Sequence, residues 1–319
     1  MTATTAPLIL SATKLGSALR SPALSLALAA LFWSGNFVAG RALRGVVDPV
    51  TLNFLRWLIA LAIIAPFVGR GTLAALPALR REWRLILALG ASGIATFHIL
   101  VYRALQSTTA TSALLILSLV PIATLVGSGW LGLERPTGKQ AAGALISIAG
   151  ACVLITRGHI AGVTSLDFNA GDLWMLAAVA VWAAYSLMLR SRPADLPSSV
   201  ALAASVAAAL IMMLPFLLLE ATNPLAVLGS PGVLLSIGYI ALFASAIAFL
   251  LWSRGVSELG PIRAGQFVNL MPLFGAALAL LILGEVPTWA ELAGAALVLC
   301  GIAFVEHRSR DDRTASIRP

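Results

Sequence analysis

Charge is what this chain has least of. Only 11% of its 319 residues are Asp, Glu, Lys or Arg, against roughly 25% in an ordinary soluble domain, and a fully water-wetted surface cannot be assembled from so few. Histidine is nearly absent too, with three in the whole sequence. There is no His-Glu-x-x-His, and the only neighbouring aspartates are Asp311 and Asp312 in the tail, so a membrane-embedded enzyme with metal or acid-base clusters is disfavoured. Cys152 and Cys300 both lie in apolar stretches and read as packing residues, not as a disulfide or a metal pair. No Asp or Glu falls in the middle of any apolar stretch, which removes the obvious carboxylate proton carriers. No basic stripe is interleaved with aromatics, so the net charge of +8 does not point to nucleic acid. Neither cofactor nor metal is expected.

Hydrophobic residues make up 60% of the chain. Stretches of about 20 apolar residues, enough to cross a ~30 Å hydrocarbon layer as a helix, fall at 23–42, 49–69, 84–104, 107–131, 138–156, 170–190, 198–219, 232–253, 261–284 and 288–306. They are long, rich in Leu and Ala and punctuated by Gly and Pro, which favours helices over the short alternating strands of a barrel.

These ten stretches repeat. At an offset of 151, Pro121 matches Pro272, Glu134 matches Glu285, Pro136 and Thr137 match Pro287 and Thr288, and Gly143 and Gly150 match Gly294 and Gly301; upstream, at 149, Trp33 matches Trp182, Arg41 matches Arg190 and Pro66 matches Pro215. A period this long must be settled before local motifs are read. Five spans per half is an odd number, so the second copy enters the membrane from the opposite side. The predicted fold is all-α integral membrane: ten transmembrane helices as two inverted five-helix repeats around a central cavity, an architecture of secondary transporters. The expected organisation is an N-terminal tail at 1–22, a first repeat at 23–157, a second at 168–306 and a C-terminal tail at 307–319. With both termini inside, 16 of the 21 Lys and Arg residues face the cytoplasm, 4 face outward and Arg56 lies within a span. That bias obeys the positive-inside rule, and the net charge then reports topology and attraction to anionic lipid. The first 22 residues carry Lys14 and Arg20 but no apolar core with a small-residue cleavage site, which reads as a retained cytoplasmic tail.

Four segments, LFWSGNFVAGRAL (31–43), NFLRW (53–57), LVPIATLVGSGWLGLERPTGKQAAGALISIAG (119–150) and LMPLFGAALALLILGEVPTWAELAGAALVLCGIAF (270–304), together resemble the drug/metabolite transporter superfamily, in its ten-helix EamA branch. The resemblance covers about nine-tenths of the chain. It implies a basket of ten helices, the fifth and tenth peripheral, around a cavity that moves amino acids or related metabolites outward.

Candidate substrate-binding residues follow from polar or aromatic groups deep in the spans. Trp33 and Asn36, three apart, correspond to Trp182 and Tyr185 at the same spacing, so two aromatic-polar faces oppose each other; stacking there suits flat or cationic substrates. Trp83, Trp130, Trp174 and Trp289 lie near span ends and fit an interfacial belt. His98 and Tyr102 are one turn apart on a face that also carries Gln106, and their counterparts Phe249 and Ser253 are neither basic nor phenolic; an intramembrane ionisable residue is a functional candidate, although a neutral imidazole bonded to a carbonyl is as common. Gln266 and Asn269 replace Leu115 and Ser118 of the first half, and amides at that depth need partners.

Pro121 and Pro272 should kink the fourth and ninth spans as a symmetric pair flanking the site. Arg56 snorkels outward, bonds helix carbonyls or faces a substrate carboxylate; the resemblance implies an arginine here whatever the cargo, which favours gating or structure over substrate selection. Pro121, Pro272 and Arg56 are therefore the gating and hinge residues. Thr137 to Gln140 and Thr288 to Glu291 each spell a capping box after a proline, and Glu134 and Glu285 just before them, at opposite membrane faces, anchor loops or else gate the cavity, with loop anchoring favoured.

The function expected is a secondary transporter in a bacterial inner membrane, exporting amino acids, aromatic ones foremost, and related small metabolites by alternating access. It would act as a monomer, with a small-molecule substrate and the lipid bilayer as its partners and no nucleic acid. The alternatives are a multidrug or other metabolite exporter of the same family and a channel-like facilitator, the last weakened by having few, scattered polar residues for a pore. Coupling runs through His98, through another residue, or is absent.

Overall fold

A computed structural model describes residues 21–108, 110–156, 169–220, 230–283 and 288–306, and all regular structure among them is helical. The first half opens with α1 (Pro22–Ala42) and α2 (Pro49–Ala74). The latter starts at Asp48, whose Oδ1 accepts from the Thr51 N–H at 2.8 Å just before a first-turn proline. After the short α3 (Leu76–Arg81) comes one apolar stretch built of α4 (Trp83–Leu89), a π-helical turn at Gly90–Thr96 and α5 (Phe97–Ser107). Next are α6 (Ala110–Leu117), α7 (Val120–Trp130) and α8 (Gly138–Ile155).

The second half repeats this order: α9 (Ala170–Arg190), α10 (Ser198–Glu220), then α11 (Pro231–Tyr239), a second π turn (Ile240–Ile247) and α12 (Ala248–Leu259), then α13 (Pro261–Gln266), a 3₁₀ turn (Phe267–Asn269) and α14 (Leu270–Leu283), and finally α15 (Trp289–Glu306).

Seven helical stretches among the described residues are long and apolar enough to cross a membrane, ending at Ala42, Ala74, Ser107, Trp130, Arg190, Leu219 and Leu259, with a shorter apolar one at Leu292–Val305. Ten were expected; the other three expected segments are helical, as α8, α13 with α14, and α15, but are not among these seven. The fourth and ninth segments are broken, as the prolines predict: the helix restarts at Val120 and at Leu270, with Pro121 and Pro272 in the first turn, where a missing N–H costs nothing. Pro66 and Pro215 lie inside α2 and α10. The capping box before α8 is formed, with Thr137 N–H donating to Gln140 Oε1 at 2.8 Å and Gln140 N–H to Thr137 Oγ1 at 3.3 Å. Of the second box, the Glu291 side chain lies outside the described residues, as do Glu285, Pro287, Arg157, most of the N-terminal tail and all of the C-terminal one.

Packing follows the duplication. Helix α9 lies on α5 as α1 lies on α12; α9 meets α7 as α14 meets α1; the first π turn rests on α10 as the second rests on α2. These three cross-half contacts thus appear twice with the halves exchanged. Counterpart helices that touch run antiparallel. In α8 and α15, Gly143 faces Gly301 and Gly150 faces Gly294. In α2 and α10, Asn53 reaches Met213 while Gly71 meets Val200.

The outside is greasy. Phe67, Trp130, Leu219 and Trp289 are each more than 80% exposed, an apolar exterior that water would not tolerate and a bilayer requires. The chain is a multi-pass membrane protein. All four tryptophans read as interfacial, Trp83, Trp130, Trp174 and Trp289, are exposed.

Candidate functional site

Between the halves lies a narrow cavity of about 20 Å³, lined by Trp33, Asn36 and Phe37 of α1, Phe97, His98 and Val101 of α5, Leu117 at the end of α6, and Trp182, Val268 and Met271 from the second half. Its wall is an aromatic box. Trp33 and Trp182 meet edge to face with centroids 5.0 Å apart, Phe97 lies 4.6 Å from Trp182, and Phe249 and Trp252 back both indoles at 5.3 to 5.7 Å. Such edge contacts hold rings in fixed orientations. Asn36 and His98 are the polar members of this lining. His98 Nδ1 makes no hydrogen bond, although the carbonyls of Gly93 and Ile94 stand near it.

The two π turns expose carbonyls that an α-helix would have paired, and side chains of the first half satisfy them. Asn53 Nδ2 donates to Ile94 O at 2.9 Å and Ala95 O at 3.1 Å. On the second turn, Ala244 O accepts from Trp33 Nε1 at 2.9 Å and from Arg56 Nη2 at 3.1 Å.

Arg56 is wholly buried. Its Nε donates to Ser245 Oγ at 2.7 Å, and its Nη1 donates to Tyr102 Oη at 2.7 Å and to Asn36 Oδ1 at 3.2 Å. Tyr102 Oη in turn donates to Asn36 Oδ1 at 2.9 Å. The guanidinium also lies 5.3 Å from the centre of Trp57 and 6.0 Å from that of Tyr102, within cation–π range. Among the described residues no Asp or Glu pairs with it. It bonds one helix carbonyl and three side chains, and snorkelling outward is not what this structure does.

Four of the eight residues read as substrate-binding therefore line the cavity: Trp33, Asn36, His98 and Trp182. Tyr102 stands behind Asn36. Tyr185 touches Trp182, with centroids 5.2 Å apart, but opens onto a separate space of about 10 Å³ shared with Leu89, Ser205 and Ser253. Its ring fits there because Gly93 carries no Cβ; one would overlap the ring. Gln266 and Asn269 are fully buried away from the cavity lining, and both polar atoms of each lack a partner. The lining residues that the sequence reading missed are Phe37, Phe97, Val101, Leu117, Val268 and Met271. Helical spacing offered Phe37, four after Trp33, and Val101, three after His98; nothing marked the others.

A family model described as the EamA-like transporter family matches residues 20–156 and again 169–306. This chain belongs to that family. Among its relatives, an uncharacterized transporter YdeK of Bacillus subtilis is 30% identical over 85% of this chain and 92% of its own. A probable terminal-alkyne amino-acid exporter of Streptantibioticus cattleyicolor is 26% identical over 92% and 96%, and a probable amino-acid metabolite efflux pump of Salmonella typhimurium is 27% identical over 91% and 96%. A solved crystal structure, 23% identical, superposes with a TM-score of 0.75 over 91% of this chain and 97% of its own, which establishes a shared fold.

In this EamA-like transporter, one end of the molecule carries a charged cluster. Gly260, at φ +84° between α12 and α13, takes a left-handed conformation that favours glycine. Its open side lies against the Glu134 carboxylate, where a Cβ would collide. Arg190, whose Nη1 donates to Ser257 O at 2.7 Å, and Arg263 share that corner electrostatically. Burial lifts the Glu134 carboxyl above its usual 4.5, and the two arginines pull it partly back. A folded value above the unfolded one means folding favours the protonated acid. That contribution is complete below about pH 4.5 and is lost as pH rises through the folded value. The parent should therefore gain thermal stability on acidification from neutral pH relative to Glu134→Gln; equal pH slopes for the two proteins in detergent would contradict it.

Proposed function

We propose that this chain is a secondary transporter that exports amino acids, aromatic ones foremost, across the bacterial inner membrane by alternating access, with ten spans arranged as inverted repeats and both termini cytoplasmic. The observation that carries the reading is the cavity at the junction of the halves. It is an aromatic box with an amide and an imidazole at one wall and a buried cation behind them. Antiparallel packing of the counterpart helices α8 and α15, and of α2 and α10, supports inversion, and the breaks at Pro121 and Pro272 supply symmetric places for the halves to bend. Within the family, the length and the aromatic-bearing first and third helices are similar to those of the aromatic amino acid exporter YddG, and the relatives named a probable terminal-alkyne amino-acid exporter and a probable amino-acid metabolite efflux pump support cargo of that class.

The test is counterflow in liposomes containing the purified protein. Internal unlabelled phenylalanine should accelerate entry of labelled phenylalanine, as a carrier requires; uptake indifferent to internal substrate would indicate an open pore. A panel including amine drugs decides between amino-acid and multidrug export. Repeating it across imposed pH gradients with parent and His98→Ala decides the coupling: pH dependence lost in the variant assigns it to His98.

A further inference from the structure

Arg56 poses an electrostatic problem that its own bonds do not solve. Every group it touches is neutral: a serine hydroxyl, a phenol, an amide oxygen and a carbonyl. A fully buried guanidinium in a bilayer core normally pairs with an anion, and among the described residues none is offered. Of the groups it bonds, Asn36 alone lines the cavity. That side chain lines the cavity while its Oδ1 is fixed by two donors, Arg56 Nη1 and Tyr102 Oη. With the oxygen so occupied, the NH₂ is the group of this lining residue left to donate to a ligand. The cavity wall is thus given a donor and a positive potential together.

We propose that Arg56, acting through Asn36 and Tyr102, selects the charge class of the cargo, so that the cavity receives a carboxylate at Asn36 and rejects amines that lack one. The inference rests on the amino-acid reading and sharpens it: the aromatic box reads the side chain, and the Arg56–Tyr102–Asn36 chain reads the carboxylate. Arg56 is here a positioning residue, because it reaches the cargo only through Asn36. It does not choose among amino acids, since every one of them carries the same group.

The experiment ranks three ligands of one shape as competitors of phenylalanine counterflow and as quenchers of intrinsic tryptophan fluorescence: phenylalanine, 3-phenylpropionate, which lacks the amine, and phenethylamine, which lacks the carboxylate. The parent should bind 3-phenylpropionate at least about tenfold more tightly than phenethylamine. Asn36→Asp keeps the size and both acceptor contacts, removes the donor and gives Arg56 its missing anion, so it should reverse that order. A purely structural role for the network would change the amount of folded protein but not the ranking. Equal binding of the two analogues by the parent, or an unchanged ranking in a folded Asn36→Asp protein, overturns the proposal; if that variant does not fold, the parent's ranking alone decides. Absence of phenylalanine exchange with the carboxylate preference intact would sink the export reading and leave this inference standing. Phenylalanine exchange inhibited equally by both analogues would do the opposite.

Discussion

Replacing Arg56 with methionine is expected to leave the fold standing and to stop transport. The two side chains are similar in volume, and the groups that Arg56 touches keep partners without it. Tyr102 Oη still donates to Asn36 at 2.9 Å, Ser245 Oγ to Ile240 O at 2.8 Å, and Ala244 O still accepts from Trp33 Nε1 at 2.9 Å. What disappears is an unneutralised buried charge, and exchanging buried ionic groups for well-packed apolar ones is often neutral or stabilising by about 1–4 kcal/mol. The unfolding midpoint of Arg56→Met in detergent should therefore equal or exceed the parent's. A carboxylate on the cavity side of Asn36 would stand on the order of 6 Å from the guanidinium, where a unit charge is worth about 3 kcal/mol at an effective dielectric of ~20. Losing that lowers binding about a hundredfold, and counterflow should drop to match. Arg56→Lys should fall between, because a point charge cannot serve Ser245, Tyr102 and Ala244 from one fork. A midpoint lowered by more than about 10 °C, or transport at the parent's rate, would mean that the arginine is only a brace.

Some of this arrangement was legible in the chain and some was not, and the difference is physical. Duplication survives in sequence where a residue type is forced by close approach or by a missing N–H, so prolines and interface glycines such as Gly143 and Gly301 recur at a fixed offset. Trp33, Asn36 and Trp182 were findable because each sits on an unbroken helix, and His98 because it shares α5 with Tyr102 beyond the π turn, where spacing predicts facing. Gln266 and Asn269 are three apart, a spacing that places both on one face only if the helix runs unbroken between them. A 3₁₀ turn at Phe267–Asn269 advances the chain by about three residues per turn instead of 3.6. The face shifts, Val268 and Met271 line the cavity, and both amides are left buried without partners. Tyr185 failed for a different reason: the room that accepts its ring comes from Gly93 in another helix, which no local pattern near Tyr185 announces. The π turns left no sequence signal, and with them went the reason Arg56, Asn53 and Trp33 stand where they do: each satisfies carbonyls those turns set free.

The other large effect should come from the edge of the bundle. Helix α15 is held chiefly by α8, and the contact is backbone to backbone. A Cβ at Gly150 would lie 2.6 Å from Val298 N and 2.7 Å from Gly294 O, and one at Gly301 would lie 2.7 Å from both Gly143 O and Ser147 N. Neither neighbour is a flexible side-chain end, so the helices must separate. In lipid that separation is costly, because apolar tails give helices no hydrophobic reason to associate and close packing supplies most of the attraction. Gly150→Leu is therefore expected to destabilise by about 3 kcal/mol or more, read as an unfolding midpoint lower by roughly 10 °C. Gly138→Ala, at the start of the same helix, meets nothing within 4 Å and should hold or slightly raise the midpoint. Because neither helix lines the cavity, Gly150→Leu protein that remains folded at low temperature should still bind phenylalanine. A destabilised variant with binding lost even when folded would tie α8 and α15 to the transport cycle itself, and equal midpoints for Gly150→Leu and the parent would refute the close contact between them.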